Sequence, residues 1–133
     1  MTAFDVSESA IAWSIKRFPN SEVNYVVADL FKLPSDWLGA FDLVFDFRTI
    51  QALPLGVRSQ TIENIASLAR PEGTVLIMTY VRPSGTTIEG PPWPLTLEEL
   101  NHFETVGLTV VKQEIFRKKG SRFSDRIQIH YKA

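Results

Sequence analysis

Three aspartates stand at the ends of predicted strands, where a carboxylate can bind a ligand: Asp5, Asp29 and Asp46. In an open parallel sheet the carboxyl ends of neighbouring strands face one crevice, so we expect these three side chains to converge. One carboxylate there can accept hydrogen bonds from ribose hydroxyls, and another can accept one from an adenine amino group. The pattern therefore predicts a nucleoside site. The apolar residues that would flank the base are Val6, Leu30 and Phe31.

The same aspartates have a simpler interpretation as local structure. An aspartate at a strand end often forms a turn or caps a helix, and Asp5 precedes Ser7, which can cap the first predicted helix. The spacing also does not distinguish an adenosyl cofactor from a dinucleotide. Both alternatives stay open on these residues alone.

Other residue types that carry chemistry are scarce. The chain has no cysteine, which excludes disulfides, thiolate nucleophiles and zinc–thiolate sites and makes a reducing cytoplasm the expected compartment. Of the two histidines, His102 falls on the polar side of a predicted helix and His130 on a terminal strand, so we expect surface residues and no metal site. Trp93 has two interpretations, as a cover for an aromatic acceptor or as ordinary packing beside prolines.

Length and composition indicate one globular domain over residues 1–133, of which 44% are hydrophobic. Basic and acidic side chains number 14 and 15 and form no basic stripe, so neither nucleic acid nor a membrane is an expected partner. No apolar run approaches the roughly 18 residues of a membrane-spanning helix. A small-molecule substrate is the partner that we expect.

The elements that must position the aspartates alternate between strand and helix. Apolar runs bounded by turn residues predict strands, and apolar residues three or four apart predict helices. The first helix begins after Ser7, carries Ile11, Ile15 and Phe18 on one face, and ends before Pro19. This alternation is typical of parallel βαβ units. The predicted strands lie at 2–5, 23–28, 41–47 and 74–80, a short turn at 31–39, the second helix at 57–69 and a further turn at 70–73.

The pattern changes after the fourth predicted strand. A proline-rich loop precedes a capping box, in which Thr96 accepts a hydrogen bond from the backbone of Glu99 while the Glu99 side chain reaches back. The last two strands predict an antiparallel hairpin. The acid after the second strand also has a competing interpretation, as part of a nicotinamide-dependent oxidoreductase. Such enzymes usually continue with βαβ units, so the hairpin speaks against that interpretation. The loop covers 82–94, the helix 97–106, the two strands 109–116 and 126–131, and their connection 117–123.

Four stretches resemble successive motifs of class I S-adenosylmethionine-dependent methyltransferases and occur in the same order. The resemblance implies an α/β fold with a Rossmann-like methyltransferase sheet, mostly parallel with a C-terminal antiparallel hairpin. The four stretches are 4–11 (FDVSESAI), 27–34 (VADLFKLP), 41–46 (FDLVFD) and 68–76 (LARPEGTVL).

Two further stretches resemble the thiopurine methyltransferase branch, which includes thiol and halide methyltransferases. One is 51–54 (QALP), with Asp46 before it and Arg58 after it, and the other is 89–94 (EGPPWP), before Thr96. The resemblance extends over practically the whole chain. The resemblance implies methyl transfer from S-adenosylmethionine to a small-molecule acceptor of thiol, thiopurine or halide type.

The resemblance also implies which residues hold the cofactor. Asp5 would hold the ribose and Asp29 the adenine amino group, and the backbone around Asp46 and Phe47 would approach the methionine portion. Catalytic residues are not assigned. The apolar cofactor contacts implied are Val6, Leu30 and Phe31.

Arg48 and Trp93 are the candidate acceptor contacts. In the branch that the chain resembles, an arginine commonly follows the strand-end aspartate directly. Here Phe47 takes that place and Arg48 comes next, so the position of the arginine departs from the family pattern.

A second departure concerns the front of the fold. The family's first strand and its acidic, glycine-rich turn would lie before Met1, and no glycine occurs before Gly39, so we expect an N-terminally incomplete domain whose first strand is missing. Loss of a central strand leaves the backbone donors and acceptors of its neighbours unpaired. The alternative function is therefore a truncated or diverged relative without catalysis, acting as a binding or self-associating module. Such a chain would form a homodimer or a sheet in a different register.

Overall fold

A computed structural model describes residues 1–117, 119 and 125–133, along which strands and helices alternate as predicted for an α/β protein. The chain consists of two compact units, Met1–Pro34 and Ser35–Ala133. None of the helices in these described residues is long and apolar enough to cross a membrane.

The first unit is a single βαβ arrangement. Strand β1 (Thr2–Asp5) and strand β2 (Asn24–Val27) pair in parallel, with Asp5 opposite Val27, and helix α1 (Glu8–Arg17) connects them. The Ser7 hydroxyl oxygen accepts a hydrogen bond of 3.2 Å from the Ala10 amide, which confirms the predicted cap. Of the predicted apolar face of α1, Ile11 is buried, whereas Ile15 and Phe18 are about half exposed.

The second unit contains a four-stranded sheet in the order β3-β4-β6-β5. Strands β3 and β4 are parallel, and β6 is antiparallel to both β4 and β5, so the predicted hairpin is confirmed. Of its predicted connection at 117–123, only residues 117 and 119 are described; the rest lies outside the described residues. The strands are β3 (Phe41–Phe47), β4 (Ala69–Tyr80), β5 (Thr109–Arg117) and β6 (Asp125–Lys132).

In the described part of the second unit, four helices and two 3-10 turns accompany the sheet. The predicted capping box is present, with the Glu99 amide donating to the Thr96 hydroxyl at 3.2 Å and the Thr96 amide donating to the Glu99 carboxylate at 2.7 Å. The single helix predicted after it is two short helices on either side of Asn101. The helices are α2 (Thr49–Ala52), α3 (Arg58–Leu68), α4 (Leu97–Leu100) and α5 (His102–Thr105), and the 3-10 turns are Ser35–Trp37 and Leu55–Val57.

The turn predicted at 70–73 is part of β4 and forms a bulge. Phe41 pairs with Ala69 and Leu43 pairs with Thr74, so the four residues between Ala69 and Thr74 bulge out of the β3–β4 ladder. Within the bulge Glu72 has a left-handed backbone conformation with φ of 67°. A Cβ atom on Gly73 would lie only 2.9 Å from the Arg70 carbonyl oxygen and 3.0 Å from that of Phe41, so only glycine fits there without a shift.

The two faces of this sheet differ in exposure because side chains alternate along each strand. One face of the sheet is buried. It carries Val75 and Ile77 of β4 and the β6 side chains paired with them, and helices α2 and α3 contact β4. Tyr131 lies in this core, with its hydroxyl donating to the Leu100 carbonyl at 3.0 Å. On the opposite face three apolar side chains of β3 are 53–56% exposed: Leu43, Phe45 and Phe47.

Candidate functional site

Asp5 and Asp29 lie at the same edge of the parallel pair β1 and β2. Asp5 is the last residue of β1, and Asp29 follows the end of β2 by two residues, so both carboxylates belong to the carboxyl ends of the strands. Oδ1 of Asp5 accepts a hydrogen bond from the Ser7 amide, and Oδ1 of Asp29 accepts one from the Phe31 amide, each 2.8 Å long. The local interpretation as turn formers is therefore correct for one oxygen of each residue. Neither Oδ2 has a hydrogen-bond partner among the described residues, so each carboxylate has an oxygen free to accept from a ligand.

The apolar neighbours of these aspartates differ in accessibility. Val6 is 70% exposed and Phe31 is 40% exposed, whereas Leu30 is buried. An aromatic ring next to Asp29 can stack on a purine base, and the Phe31 ring has the free surface for it. Of the two residues considered for that contact, Phe31 is the better candidate.

Asp46 of β3 is buried, with only 5% of its surface exposed. Its side chain lies on the face of the sheet that the helices cover, because it pairs with Ile77, and its Oδ1 accepts a hydrogen bond of 3.3 Å from the Thr49 amide at the start of α2. Burial raises the pKa of the Asp46 carboxyl, and hydrogen bonds from Thr49 and Ile50 partly oppose that shift. Oδ2 of Asp46 is buried and has no hydrogen-bond partner in the described part of the chain. A buried orphaned oxygen is costly, so Asp46 can readily accept a hydrogen bond from a donor that reaches it.

Asp5 and Asp29 belong to the first unit and Asp46 to the second. Within the first unit the sequence prediction that two carboxylates share a sheet edge agrees with the parallel pairing of β1 and β2. Convergence of all three around one nucleoside stays a prediction.

Phe47 and Arg48 lie where the chain leaves β3 for α2. Phe47 is about half exposed and stacks near Phe45, with ring centroids 6.2 Å apart. Arg48 adopts a left-handed conformation with φ of 71°, and its amide donates to the Met78 carbonyl of β4 at 3.0 Å. The guanidinium carbon of Arg48 lies 4.6 Å from the centroid of the Phe47 ring and 5.0 Å from that of Tyr80.

Trp93 is part of a tightly held loop. Its amide donates to the Gln51 carbonyl at 2.7 Å, and its carbonyl accepts from the Arg58 guanidinium at 2.8 Å. A Cβ atom on Gly90 would overlap the indole ring, so the ring packs directly against the backbone of its own loop. The peptide bonds that precede Pro91 and Pro92 are both cis. These contacts favour the packing interpretation of Trp93 over the role of a free acceptor cover.

Two buried polar residues in this region were not assigned roles from the sequence. Gln51 accepts hydrogen bonds through its side-chain oxygen from the Thr79 hydroxyl at 2.9 Å and the Tyr80 amide at 2.7 Å, and so joins α2 to the end of β4. Arg58 is only 4% exposed and donates to Glu99 at 3.1 Å. The sequence offered one indication, because Gln51 begins the stretch 51–54 that resembles the thiopurine methyltransferase branch and Arg58 follows it.

The histidines take part in pairs that the sequence did not predict. His102 of α5 lies 3.0 Å from the Glu63 carboxylate of α3, and His130 lies 2.8 Å from the Gln128 amide nitrogen along β6. Both histidines are partly exposed. The His102–Glu63 pair joins helices α3 and α5. It therefore belongs to other elements than the candidate site residues Asp46 and Arg48, which lie at the carboxyl end of β3. In the described residues no three histidine, aspartate or glutamate side chains are grouped so that they could hold a metal ion.

Comparison with known proteins gives consistent matches. A family model described as thiopurine S-methyltransferase matches residues 3–126. The chain is 30% identical over 117 residues to a thiopurine S-methyltransferase of Vibrio vulnificus strain YJ016, and 25% identical over 115 residues to one of Acinetobacter baylyi. The alignments cover 81% and 84% of this chain but 52% of each relative, so the chain spans about half the length of the curated relatives it matches.

Solved structures establish the fold. The N-methyltransferase NodS from Bradyrhizobium japonicum in complex with S-adenosylhomocysteine is similar with a TM-score of 0.75 at 18% identity, over 98% of this chain and 65% of NodS. A putative methyltransferase from Bacillus halodurans is similar with a TM-score of 0.79 at 12% identity, over 98% of this chain and 81% of that protein. The predicted Rossmann-like methyltransferase sheet, with antiparallel strands at its C-terminal end, is thereby confirmed.

Proposed function

The chain belongs to the thiopurine S-methyltransferase family, and on that basis we propose that it transfers a methyl group from S-adenosylmethionine to a small-molecule acceptor. The observation that carries the proposal is the family match over residues 3–126, which includes the strand-end aspartates. We further propose a thiol, thiopurine or halide as the acceptor, because these are the acceptors of the branch that the chain resembles.

The residues present suit the adenosine portion of this cofactor. Asp5 and Asp29 each have one carboxylate oxygen engaged by a backbone amide, and a second oxygen that can accept from a ribose hydroxyl or an adenine amino group. Phe31 offers an exposed ring for the base. We assign the ribose to Asp5 and the adenine to Asp29, with Val6 and Phe31 as apolar contacts.

The residues that follow β3 suit the methionine portion. The backbone of Asp46 and Phe47 lies at the carboxyl end of a parallel strand, the edge at which such sheets bind ligands. No donor among the described residues reaches the buried Oδ2 of Asp46, and an ammonium group is a strong donor. When bound, S-adenosylmethionine supplies a methyl group made electrophilic by its sulfonium sulfur.

Methyl transfer of this kind is a direct displacement and makes modest demands on protein side chains. The protein must align the acceptor with the methyl group and exclude water, and a dedicated base is optional. Thiols and thiopurines ionise readily, and halides need no proton removed at all. The absence of a histidine–carboxylate pair at the described strand ends is therefore compatible with this acceptor class.

A second candidate function is a non-catalytic, self-associating module. The observation that favours it is the exposed apolar face of β3, an outer strand of its sheet, where Leu43, Phe45 and Phe47 are each more than half exposed. Such a strand can pair with a second copy of the chain. A homodimer is the assembly that this function requires.

Calorimetric titration of the chain with S-adenosylhomocysteine tests the first function. We expect saturable heat and a rise in melting temperature, both reduced in the variant Asp29→Asn. The control Asp36→Asn, which alters an exposed carboxylate in a 3-10 turn, should bind normally. No heat and no thermal shift at millimolar ligand would remove the claim of a working cofactor site and favour the second function.

A further inference from the structure

The side chain of Gln51 takes the place of a strand carbonyl at the end of β4. Strands β3 and β4 pair as far as Phe47 and Met78, and the Arg48 amide adds one more bond to the Met78 carbonyl at 3.0 Å. In a parallel ladder that continued, the next donor would be the Tyr80 amide and the next acceptor the Arg48 carbonyl. The Tyr80 amide instead donates to Oε1 of Gln51 at 2.7 Å. Gln51 therefore satisfies the donor of β4 that β3 leaves behind.

This replacement allows the chain to turn directly after β3. Arg48 has a left-handed backbone conformation with φ of 71°, which ends the strand and which is unfavourable for a residue other than glycine. Helix α2, which follows, is a single turn of four residues and is too short to be stable through its own hydrogen bonds. Contacts with the rest of the second unit must therefore hold both the turn and the helix.

Gln51 provides such a contact from a buried position. Only 4% of its surface is exposed, and its Oε1 also accepts from the Thr79 hydroxyl at 2.9 Å, so one oxygen bonds to two consecutive residues of β4. Loss of a buried acceptor is costly, because water cannot take its place. The main-chain carbonyl of Gln51 accepts separately from the Trp93 amide. A change of the Gln51 side chain therefore removes the link to β4 and keeps the link to the proline-rich loop.

We propose that Gln51 is a positioning residue for the cofactor: by holding the turn after β3, it fixes the backbone of Asp46 and Phe47, which we assign to the methionine portion of S-adenosylmethionine. The proposal rests on the proposed function and deepens it. The amide of Thr49, the first residue of α2, donates to Oδ1 of Asp46 at 3.3 Å. A shift of α2 therefore also moves the donor that orients the Asp46 carboxylate. A displacement of a binding group by a fraction of its hydrogen-bond length weakens the contacts that depend on it.

The test compares two ligands that contain the same adenosine. S-adenosylhomocysteine carries the amino-acid group that the end of β3 would bind, whereas 5′-methylthioadenosine lacks it. The variant Gln51→Met has a side chain of similar size without the oxygen. Calorimetric titration should show that this variant binds S-adenosylhomocysteine about tenfold more weakly than the unmodified chain, because the strand end is no longer held in place. Binding of 5′-methylthioadenosine should be unchanged. An equal loss of affinity for both ligands would show that Gln51 only supports the fold, and would overturn the proposal.

Thr61→Val is the matched control. The Thr61 hydroxyl is buried and donates to the Val57 carbonyl at 2.8 Å at the start of α3, so this variant also removes a buried hydrogen bond from the second unit. It should lower the melting temperature and leave the affinities for both ligands as they are. If Thr61→Val changed the preference between the two ligands as much as Gln51→Met, the effect would come from a general loss of stability and the proposal would be refuted.

A measurement on the unmodified chain does not depend on the folding of any variant. In the ¹⁵N-labelled chain the Tyr80 amide reports on its bond to Gln51. We expect its resonance to shift with S-adenosylhomocysteine and not with 5′-methylthioadenosine. If S-adenosylhomocysteine binds but the Tyr80 resonance responds to neither ligand, or equally to both, this proposal alone is refuted. Failure of the unmodified chain to bind S-adenosylhomocysteine counts against the proposed function.

Discussion

Arg58 and Glu99 form an ion pair of 3.1 Å that joins the start of α3 to the capping box of α4. The same guanidinium donates to the Trp93 carbonyl at 2.8 Å, and the Glu99 carboxylate also accepts from the Thr96 amide. Burial lowers the pKa of Arg58 below its usual value, and the neighbouring Glu99 opposes only part of that shift. A buried cation thus fixes the proline-rich loop and a helix start at once, and the stability of both depends on it.

Replacing Arg58 by Met should destabilise the chain by about 2–3 kcal/mol, because the carbonyl of Trp93 loses its charged donor and the carboxylate of Glu99 is left with the more distant Arg82 at 3.7 Å. The expected cost lies at the lower end for a buried pair, since about a quarter of the Glu99 side chain is exposed to water. Urea unfolding measures this loss of unfolding free energy. Arg70→Met, which removes an exposed ion pair with Asp42, should cost less than about 1 kcal/mol. Equal losses in the two variants would contradict the special position of Arg58.

The unfolding free energy should depend on pH through Asp46. Burial raises the pKa of this carboxyl above its usual value of 3.8, so its contribution to stability is fully present below that value and is lost as the pH rises through the raised pKa. In the variant Asp46→Asn the side chain at this position cannot ionise. The stability of the unmodified chain relative to this variant should therefore fall as the pH rises above about 4 and through the raised pKa. Urea unfolding at several pH values checks this, and a difference that is constant or grows with pH would contradict it.

Gly73→Ala should destabilise the chain by about 1–3 kcal/mol, because the added methyl group meets three backbone carbonyl oxygens at 2.9–3.2 Å, which cannot rotate away as a side chain could. Gly56→Ala is the matched control. It has no atom within 4 Å of the new Cβ and should be neutral or stabilise by up to about 1 kcal/mol. Thermal unfolding compares the two. A neutral Gly73→Ala variant would show that the bulge in β4 can open at little cost.

The exposed face of β3 should make the chain self-associate. Light scattering should give a mass above the monomer's 15.0 kDa, and Phe45→Lys should shift the population toward monomer by placing a charge among Leu43 and Phe47. Val111→Lys changes a residue of the other outer strand, β5, that is still more exposed than Phe45, and should have no such effect. A monodisperse monomer before any substitution would refute the self-association and weaken the second candidate function.

Local patterns predicted the regular elements well. An apolar run bounded by turn residues predicted β3 at Phe41–Phe47, and the spacing of Thr96 and Glu99 identified a capping box. Two features escaped because they depend on contacts distant in sequence. The bulge at Glu72 and Gly73 requires the carbonyl of Phe41, and the pairing of Arg58 with Glu99 spans 41 residues.

The candidate site was predicted in its residue types but not in its geometry. The strand-end positions of Asp5 and Asp29 follow from the alternation of predicted strands and helices. The direction of the Asp46 side chain instead depends on its pairing with Ile77 and on the amide of Thr49. The four-residue helix α2 is too short for a helical period to be recognised. For the same reason the role of Gln51, which lies in α2, could not be read from the sequence.

We propose that Asp5 and Asp29, at one edge of the β1–β2 pair, hold the adenosine portion of the cofactor. The most direct measurement is an NMR titration of the ¹⁵N-labelled chain with S-adenosylhomocysteine, followed through the backbone amides. We expect the amides of Val6 and Phe31 to shift together along one saturation curve. Shifts confined to residues away from β1 and β2, or no shifts at millimolar ligand, would contradict this assignment.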